Sequence, residues 1–308
     1  MMSNQFWRIL ICLGVTFVLG ATTTAVRVLY ADDSPPEVKG FTFFGALQGS
    51  TNSEAQINRL EARVGYNFNP KFAVDFGLPY YFVNSNSSTA SSLNGFRSGI
   101  GNAFVNFRLT PSLANWRYIS SLTATAPTGD RDRGFSTGRV TFDWNNFVSR
   151  SVLRFAPFAN LGVANTISDT NFFFRPFSSL GMVGHFEGGT CYRLNRLLSL
   201  GASAYSVVPS GKQKIYSRVA RRQSDNPPPP ASDTPGQGRA RVFETRAVIV
   251  DDPNLARDHG FSSWLTIYPA STVYLQAGYH RSVPYSLNSF FFGVGLQLDP
   301  VYRRITHP

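Results

Sequence analysis

From Gln56 to Phe68 the chain alternates: Leu60, Ala62, Val64, Tyr66 and Phe68 share one face, while Arg59, Glu61, Arg63, Gly65 and Asn67 share the other. A period of two belongs to a β-strand, and here one face is greasy while the other carries formal charge. The pattern recurs in Phe72–Asn84, Gly101–Leu109, Leu198–Val208, Thr272–His280 and Ser289–Leu298. Less regular candidates are Gly40–Gly49, Trp116–Ala126, Arg139–Val148, Val152–Ala164, Ser179–Tyr192 and Gly260–Tyr268, which brings the expected number of strands to about twelve. The alternation breaks at Asn146-Phe147, and the first and tenth strands predict a bulge or a shifted boundary.

The N-terminus has a different design. Met1–Arg8 is short with one positive charge, Ile9–Gly20 is apolar, and Leu29-Tyr30-Ala31 precedes Asp32-Asp33. This is the layout of a secretory signal peptide over residues 1–31, cut after Ala31. An uncleaved N-terminal anchor is the alternative. Beyond Ala31 no apolar run reaches the roughly 20 residues of a membrane-spanning helix. An exported chain of this kind either stays soluble or crosses a membrane as a closed β-barrel, the only other fold that pairs every backbone group in lipid.

The connections favour the barrel. Asn69-Pro70-Lys71, Thr110–Asn115, Ser149–Ser151, Arg193–Leu197 and Pro269–Ser271 are brief; Ser50–Ala55, Ser85–Ser98, Pro127–Gly138, Asn165–Ser178, Pro209–His259 and Arg281–Asn288 are longer. Short periplasmic turns alternating with long extracellular loops are the rhythm of an even-stranded outer-membrane barrel with both termini in the periplasm. The sequence therefore predicts an all-β, transmembrane antiparallel barrel over residues 32–298, preceded by a signal peptide and followed by a tail at 299–308. Aromatics near strand ends, Phe41, Tyr80, Trp116, Tyr118 and Tyr268, suit interfacial girdles. With only Cys12 and Cys191, a disulfide framework is excluded.

Residues 210–258 form the longest connection, with Pro227–Pro230, Arg221-Arg222, Arg239, Arg241 and Arg246. It reads as a loosely folded extracellular loop, with Ala240–Val250 able to extend the barrel as a short hairpin arm. Asp225, Asp233, Glu244, Asp251, Asp252 and Asp258 interleave with the arginines, which argues against nucleic acid as a partner. Lipopolysaccharide phosphate and outer-membrane lipid fit such arginines better. The formal charge of +11, or +9 without Arg8 and Arg27, agrees with an anionic surface but names no ligand.

Gly99-Ile-Gly-Asn-Ala-Phe-Val-Asn-Phe-Arg-Leu109, a strand ending in Thr125-Ala-Pro-Thr-Gly-Asp130, and a following loop with Gly134 and Gly138 resemble a known family. It is the outer-membrane barrel family associated with the meta-cleavage pathway of phenol degradation, distantly similar to fatty-acid channels. The resemblance is best over Ser98–Phe147 and continues as a pattern to Leu298. It implies a passive channel for small hydrophobic or aromatic molecules.

The strand parities place Arg59, Glu61, Arg63, Asp75, Arg108 and Asp143 in the lumen, together with Phe104, Phe158, Tyr205, Tyr274 and Phe291. Aromatic rings on a solute path supply weak sequential sites that admit without trapping; the same rings could instead fill a narrow barrel. No cofactor is expected, because Gly99-x-Gly101 and Gly293-x-Gly295 lack the third glycine and the following helix of a dinucleotide site. No metal site is expected either: His185 and Glu187 form only a polar lumen pair, and Asp130 and Asp132 stand among Arg131 and Arg133.

The chain is not expected to be an enzyme, yet two rival functions keep a place. His280-Arg281-Ser282 puts an imidazole and a hydroxyl on one strand face, the pair that an outer-membrane lipid hydrolase of the deacylase type would use. A structural or adhesive barrel, binding through its extracellular loops, is the other rival.

Overall fold

The computed structural model describes residues 39–53, 55–85, 96–113, 115–167, 169, 173–219, 248–251, 256–270 and 272–297. The expected leader, residues 1–31, and the expected tail, 299–308, lie outside the described residues, as do residues 220–247 of the longest loop.

Seventeen strands follow in chain order: β1 (Gly40–Thr51), β2 (Ala55–Asn69), β3 (Phe72–Ser85), β4 (Phe96–Ile100), β5 (Phe104–Leu109), β6 (Ser112–Leu113), β7 (Trp116–Thr125), β8 (Thr141–Ser149), β9 (Phe155–Ala164), β10 (Phe177–Leu180), β11 (Val183–Arg193), β12 (Leu198–Pro209), β13 (Gln213–Ser217), β14 (Val248–Asp251), β15 (Asp258–Ala270), β16 (Val273–Ser282) and β17 (Leu287–Gln297). All but β10, β13 and β14 form one antiparallel sheet, and β1 closes it by pairing with both β2 and β17. Because β4, β5 and β6 follow one another along a single stave, the sheet is a twelve-stave barrel. Closure leaves no edge to be satisfied by lipid.

The outer face is what a membrane requires. Phe41, Leu60, Val64, Phe76, Phe107, Trp116, Leu122, Trp144, Leu161, Phe186, Leu200, Phe261, Phe290 and Phe292 are all exposed, and they sit on the outward parity of their strands. A water-soluble surface does not carry so continuous an apolar belt. Phe41, Tyr80, Trp116 and Tyr118 belong to this outer parity, whereas Tyr268 follows Trp264 and Thr266 on the inward parity, so it is not a girdle residue.

Asparagines close the short turns. Asn69 Oδ1 accepts from the backbone N–H of Lys71 at 2.8 Å and Phe72 at 2.9 Å, and Asn195 Oδ1 does the same for Leu197 and Leu198. The Asn146-Phe147 position is no break in register, since β8 stays paired with β7 and β9 throughout. Its alternation is real but inverted in chemistry. Phe147 points inward and stacks on Phe158 at 5.8 Å, while outward Asn146 accepts a 2.6 Å hydrogen bond from Tyr118. The expected irregularity of the tenth strand is a register shift between Ile267 and Ala270.

Two departures matter for the lumen. The Ser179–Tyr192 strand is two elements: Ser179 and Leu180 belong to β10, and the barrel stave β11 starts at Val183. β10, β13 and β14 form a separate three-stranded sheet, paired antiparallel in the order β10-β13-β14. Gln213–Ser217 and Val248–Asp251 of the 210–258 connection thus belong to this small sheet, and Val248–Asp251 extends it rather than the barrel.

Candidate functional site

Arg59, Glu61, Arg63, Asp75, Phe104, Arg108, Asp143, Phe158, Tyr205, Tyr274 and Phe291 lie on the less exposed parity of their strands. Arg59, Glu61 and Arg63 alternate inward on β2. Glu61 bridges the two arginines, and Arg63 lies over the rings of Phe44 at 4.2 Å and Phe104 at 5.4 Å. Arg59 donates to Gln48 at 2.6 Å, and Arg108 donates to Asn67 at 3.3 Å. A polar ribbon crosses the neighbouring staves: Thr123 donates to Asn106, and Asn106 donates to Asp75.

Next to the ribbon Asp143 meets His185 at 2.9 Å. The two lie on β8 and β11, and the imidazole spans β9 only because Gly162 leaves its place open; a Cβ there would collide with the ring. Glu187 shares the His185 face of β11 and accepts from Ser203 at 2.7 Å. The same glycine device recurs for the rings: Phe104 lies over Gly77, Phe158 over Gly189, Trp264 over Gly201, Phe291 over Gly278 and Tyr274 over Gly295. Each ring lies flat along the wall instead of standing into the lumen.

The two sides of the wall differ in access. Among the inward groups of β5 to β11, Phe104, Asn106, Thr123, Asp143, Phe158 and His185 are half-buried, whereas Arg108, Ile119, Thr141, Ala156 and Cys191 are buried. On β15 to β17 the inward Trp264, Thr266, Tyr274, Gln276, Ser289 and Phe291 are covered almost completely. Open space therefore adjoins the half-buried groups of the first side.

The long-loop end is filled by a plug built from loop side chains. Ile167, Phe173, Phe174, Phe177, Ile215, Val219 and Ile249 from the loops pack as one apolar cluster with Ile57, Tyr81, Val83, Val183, Val207 and Leu287 of the wall. Phe174 sits over the Arg59 guanidinium at 4.7 Å, and Phe173 stacks on His280 at 4.3 Å. Two buried ion pairs fasten it. Arg218 binds Asp169 at 2.7 Å, and Arg175 binds Asp258 at 3.1 Å. Burial disfavours the charge on both guanidiniums, but Asp258 acting on Arg175 and Asp169 acting on Arg218 outweigh it, so both pKa values are held above the ordinary value. The sequence did carry one signal, Phe172-Phe173-Phe174-Arg175-Pro176-Phe177, an aromatic run too apolar for a solvated loop.

His280 and Ser282 face inward beneath this plug, but they do not act on each other. Ser282 donates to Asp258 at 2.6 Å; the two nitrogens of His280 are taken by Ser262 at 2.9 Å and the Tyr205 hydroxyl at 3.1 Å. Since Tyr205 in turn donates to Asp258, the imidazole proton belongs on Nε2. No hydrogen bond joins the imidazole directly to the Ser282 hydroxyl, the contact from which the lipid-hydrolase reading starts. Asp130 is likewise engaged, by the Arg133 side chain at 3.0 Å, and no cluster of three metal-ligating side chains occurs among the described residues.

No protein-family model matches the sequence, and no curated protein matches it. Among solved structures the chain is similar to an outer-membrane channel from Pseudomonas putida F1, at a TM-score of 0.54 and 13% identity over 86% of this chain and 98% of that one. It is also similar to the toluene transporter TbuX of Ralstonia pickettii, at a TM-score of 0.41 and 9% identity over 91% of this chain and 94% of that one. The first of these likenesses agrees with the barrel on fold: the chain is a twelve-stranded outer-membrane β-barrel of the kind found in Gram-negative bacteria.

Proposed function

We propose that the protein is an outer-membrane channel for passive movement of small hydrophobic or aromatic molecules. One observation carries the reading: half-buried rings and hydrogen-bonding groups line the open side of the lumen together, and the rings lie flat over glycines so that they line the space without filling it. The path runs past Phe104 and Phe158, with Arg63, Asp75 and Asp143 alongside; Tyr274 and Phe291 give the opposite side its packing. Such a surface binds an aromatic solute weakly at successive points, which conduction needs. The P. putida relative is itself an outer-membrane channel, and the family resembled by residues 98–147 is taken to pass aromatic compounds.

In this reading residues 1–31 are the leader, the 210–258 connection lies on the extracellular side, and Arg221, Arg222, Arg239, Arg241 and Arg246 meet lipopolysaccharide phosphates. The plug closes the outer mouth, and passage requires it to shift. Flux through the refolded protein in liposomes tests the proposal by comparing phenol with a sugar against protein-free vesicles. Phenol-selective flux is expected. Equal flux for both would make the protein a general porin, and the aromatic specificity would fall.

A further inference from the structure

We propose that the cradle now filled by Phe173 is the outermost binding site for a flat aromatic solute, and that Phe173 is its built-in competitor. The proposal deepens the channel reading and rests on it for physiological purpose, though the site is defined by its own geometry.

The Phe173 side chain comes from a loop, and the place that receives it is formed by side chains of three barrel staves together with Arg175 of the same loop. Its ring is fully buried and stacks on the imidazole of His280 with centroids 4.3 Å apart and planes 14° from parallel. Tyr205 stacks on the same imidazole at 5.0 Å and 23°. The Arg175 guanidinium lies 5.2 Å from the Phe173 ring centre. A ring in this place is thus recognised through its π-face, by imidazole stacking and by a cation.

The receptor is held rigidly. Tyr205 and Ser262 fix the imidazole at its two nitrogens, while Asp258 fixes the Tyr205 hydroxyl and the Arg175 side chain. Wall and latch therefore hold the shape of a bound ring. A solute ring that replaces Phe173 restores the stacking that the withdrawn side chain loses, so displacement by an aromatic solute costs less than displacement by an aliphatic one of equal volume. Closing the mouth and recognising the cargo become one contact.

The test is equilibrium binding to the refolded protein in detergent, by isothermal titration against detergent alone. The probes are phenol and cyclohexanol, which share a hydroxyl and nearly share a volume. Phe173→Ala removes the competitor and is expected to bind phenol at least about tenfold more tightly than the native protein, with phenol preferred over cyclohexanol by about fivefold or more. Adding His280→Leu to that variant is expected to abolish the preference. Phe173→Leu, which keeps the plug's volume but not its stacking, is the second variant should Phe173→Ala not refold, and it too is expected to bind phenol more tightly than the native chain. Unchanged phenol affinity in the folded variants, or equal affinity for the two probes, would overturn the site. Binding that follows this pattern in a protein without flux would overturn the channel reading and leave the site standing. Selective flux with no effect at Phe173 would do the reverse.

Discussion

One terminal nitrogen of Arg218 lies 2.9 and 2.7 Å from the two carboxylate oxygens of Asp169. The same guanidinium lies over the ring of Tyr81 at 4.8 Å, and the Tyr81 hydroxyl donates to Asp169 at 3.1 Å. A loop cation, a loop anion and a wall phenol thus form one knot joining the plug to stave β3.

Breaking the knot should loosen the plug before the barrel. Arg218→Ala strands Asp169 in a buried place, a change that costs about 3–5 kcal/mol where one partner of a buried pair is lost. Limited proteolysis should then cut within the long loops, while the barrel keeps the anomalous gel migration of a folded, unheated outer-membrane protein. Protection equal to that of the native protein would show that the apolar cluster alone holds the plug.

The lipid face carries its own polar pair. Tyr118→Phe leaves the Asn146 side chain without its donor on the hydrocarbon side, and the barrel should lose about 1–3 kcal/mol in denaturant unfolding from vesicles. Adding Asn146→Leu should recover most of that loss, because no polar group then remains to be satisfied.

Gly162→Ala places a methyl group where the His185 ring lies. The Asp143–His185 pair should break, with a destabilisation of about 1–3 kcal/mol from overpacking. His185→Ala in the same chain should relieve the part of the penalty due to the ring; what persists would trace to the Trp144 carbonyl oxygen, 2.7 Å from the added carbon.

For Ser282→Ala the expected effects separate structure from chemistry. Loss of the donor to Asp258 should lower stability by about 1–3 kcal/mol. Acyl release from lipid A should be no different between native and variant proteins. A hydrolase activity that vanished with this hydroxyl would restore the enzymatic reading.

The staves were legible because lipid and lumen impose opposite chemistry on alternate residues. Arg59, Glu61 and Arg63 against Leu60, Ala62 and Val64 leave β2 only one register. Where the contrast weakens, so does the reading. At Asn146-Phe147 a paired amide faces lipid and a ring faces inward, so two correct parities looked like a slip. The plug was illegible for a different reason. Phe173, Phe174 and Phe177 have no strand periodicity across the loop, and Arg218 finds Asp169 49 residues away along the chain. Long-range side-chain pairing of that kind leaves no local pattern. Lumen-facing parity was equally readable for Phe104 and Tyr274, but which side adjoins open space depends on the packing across the barrel.

The central claim is a lumen selective for aromatic solutes beneath a movable plug, and flux in liposomes measured for the native protein beside Arg218→Ala tests it most directly. The account predicts phenol flux above that of a sugar in both proteins, with the phenol rate higher in the variant. Equal phenol and sugar flux in the native protein, or no phenol flux in either folded protein, would contradict it.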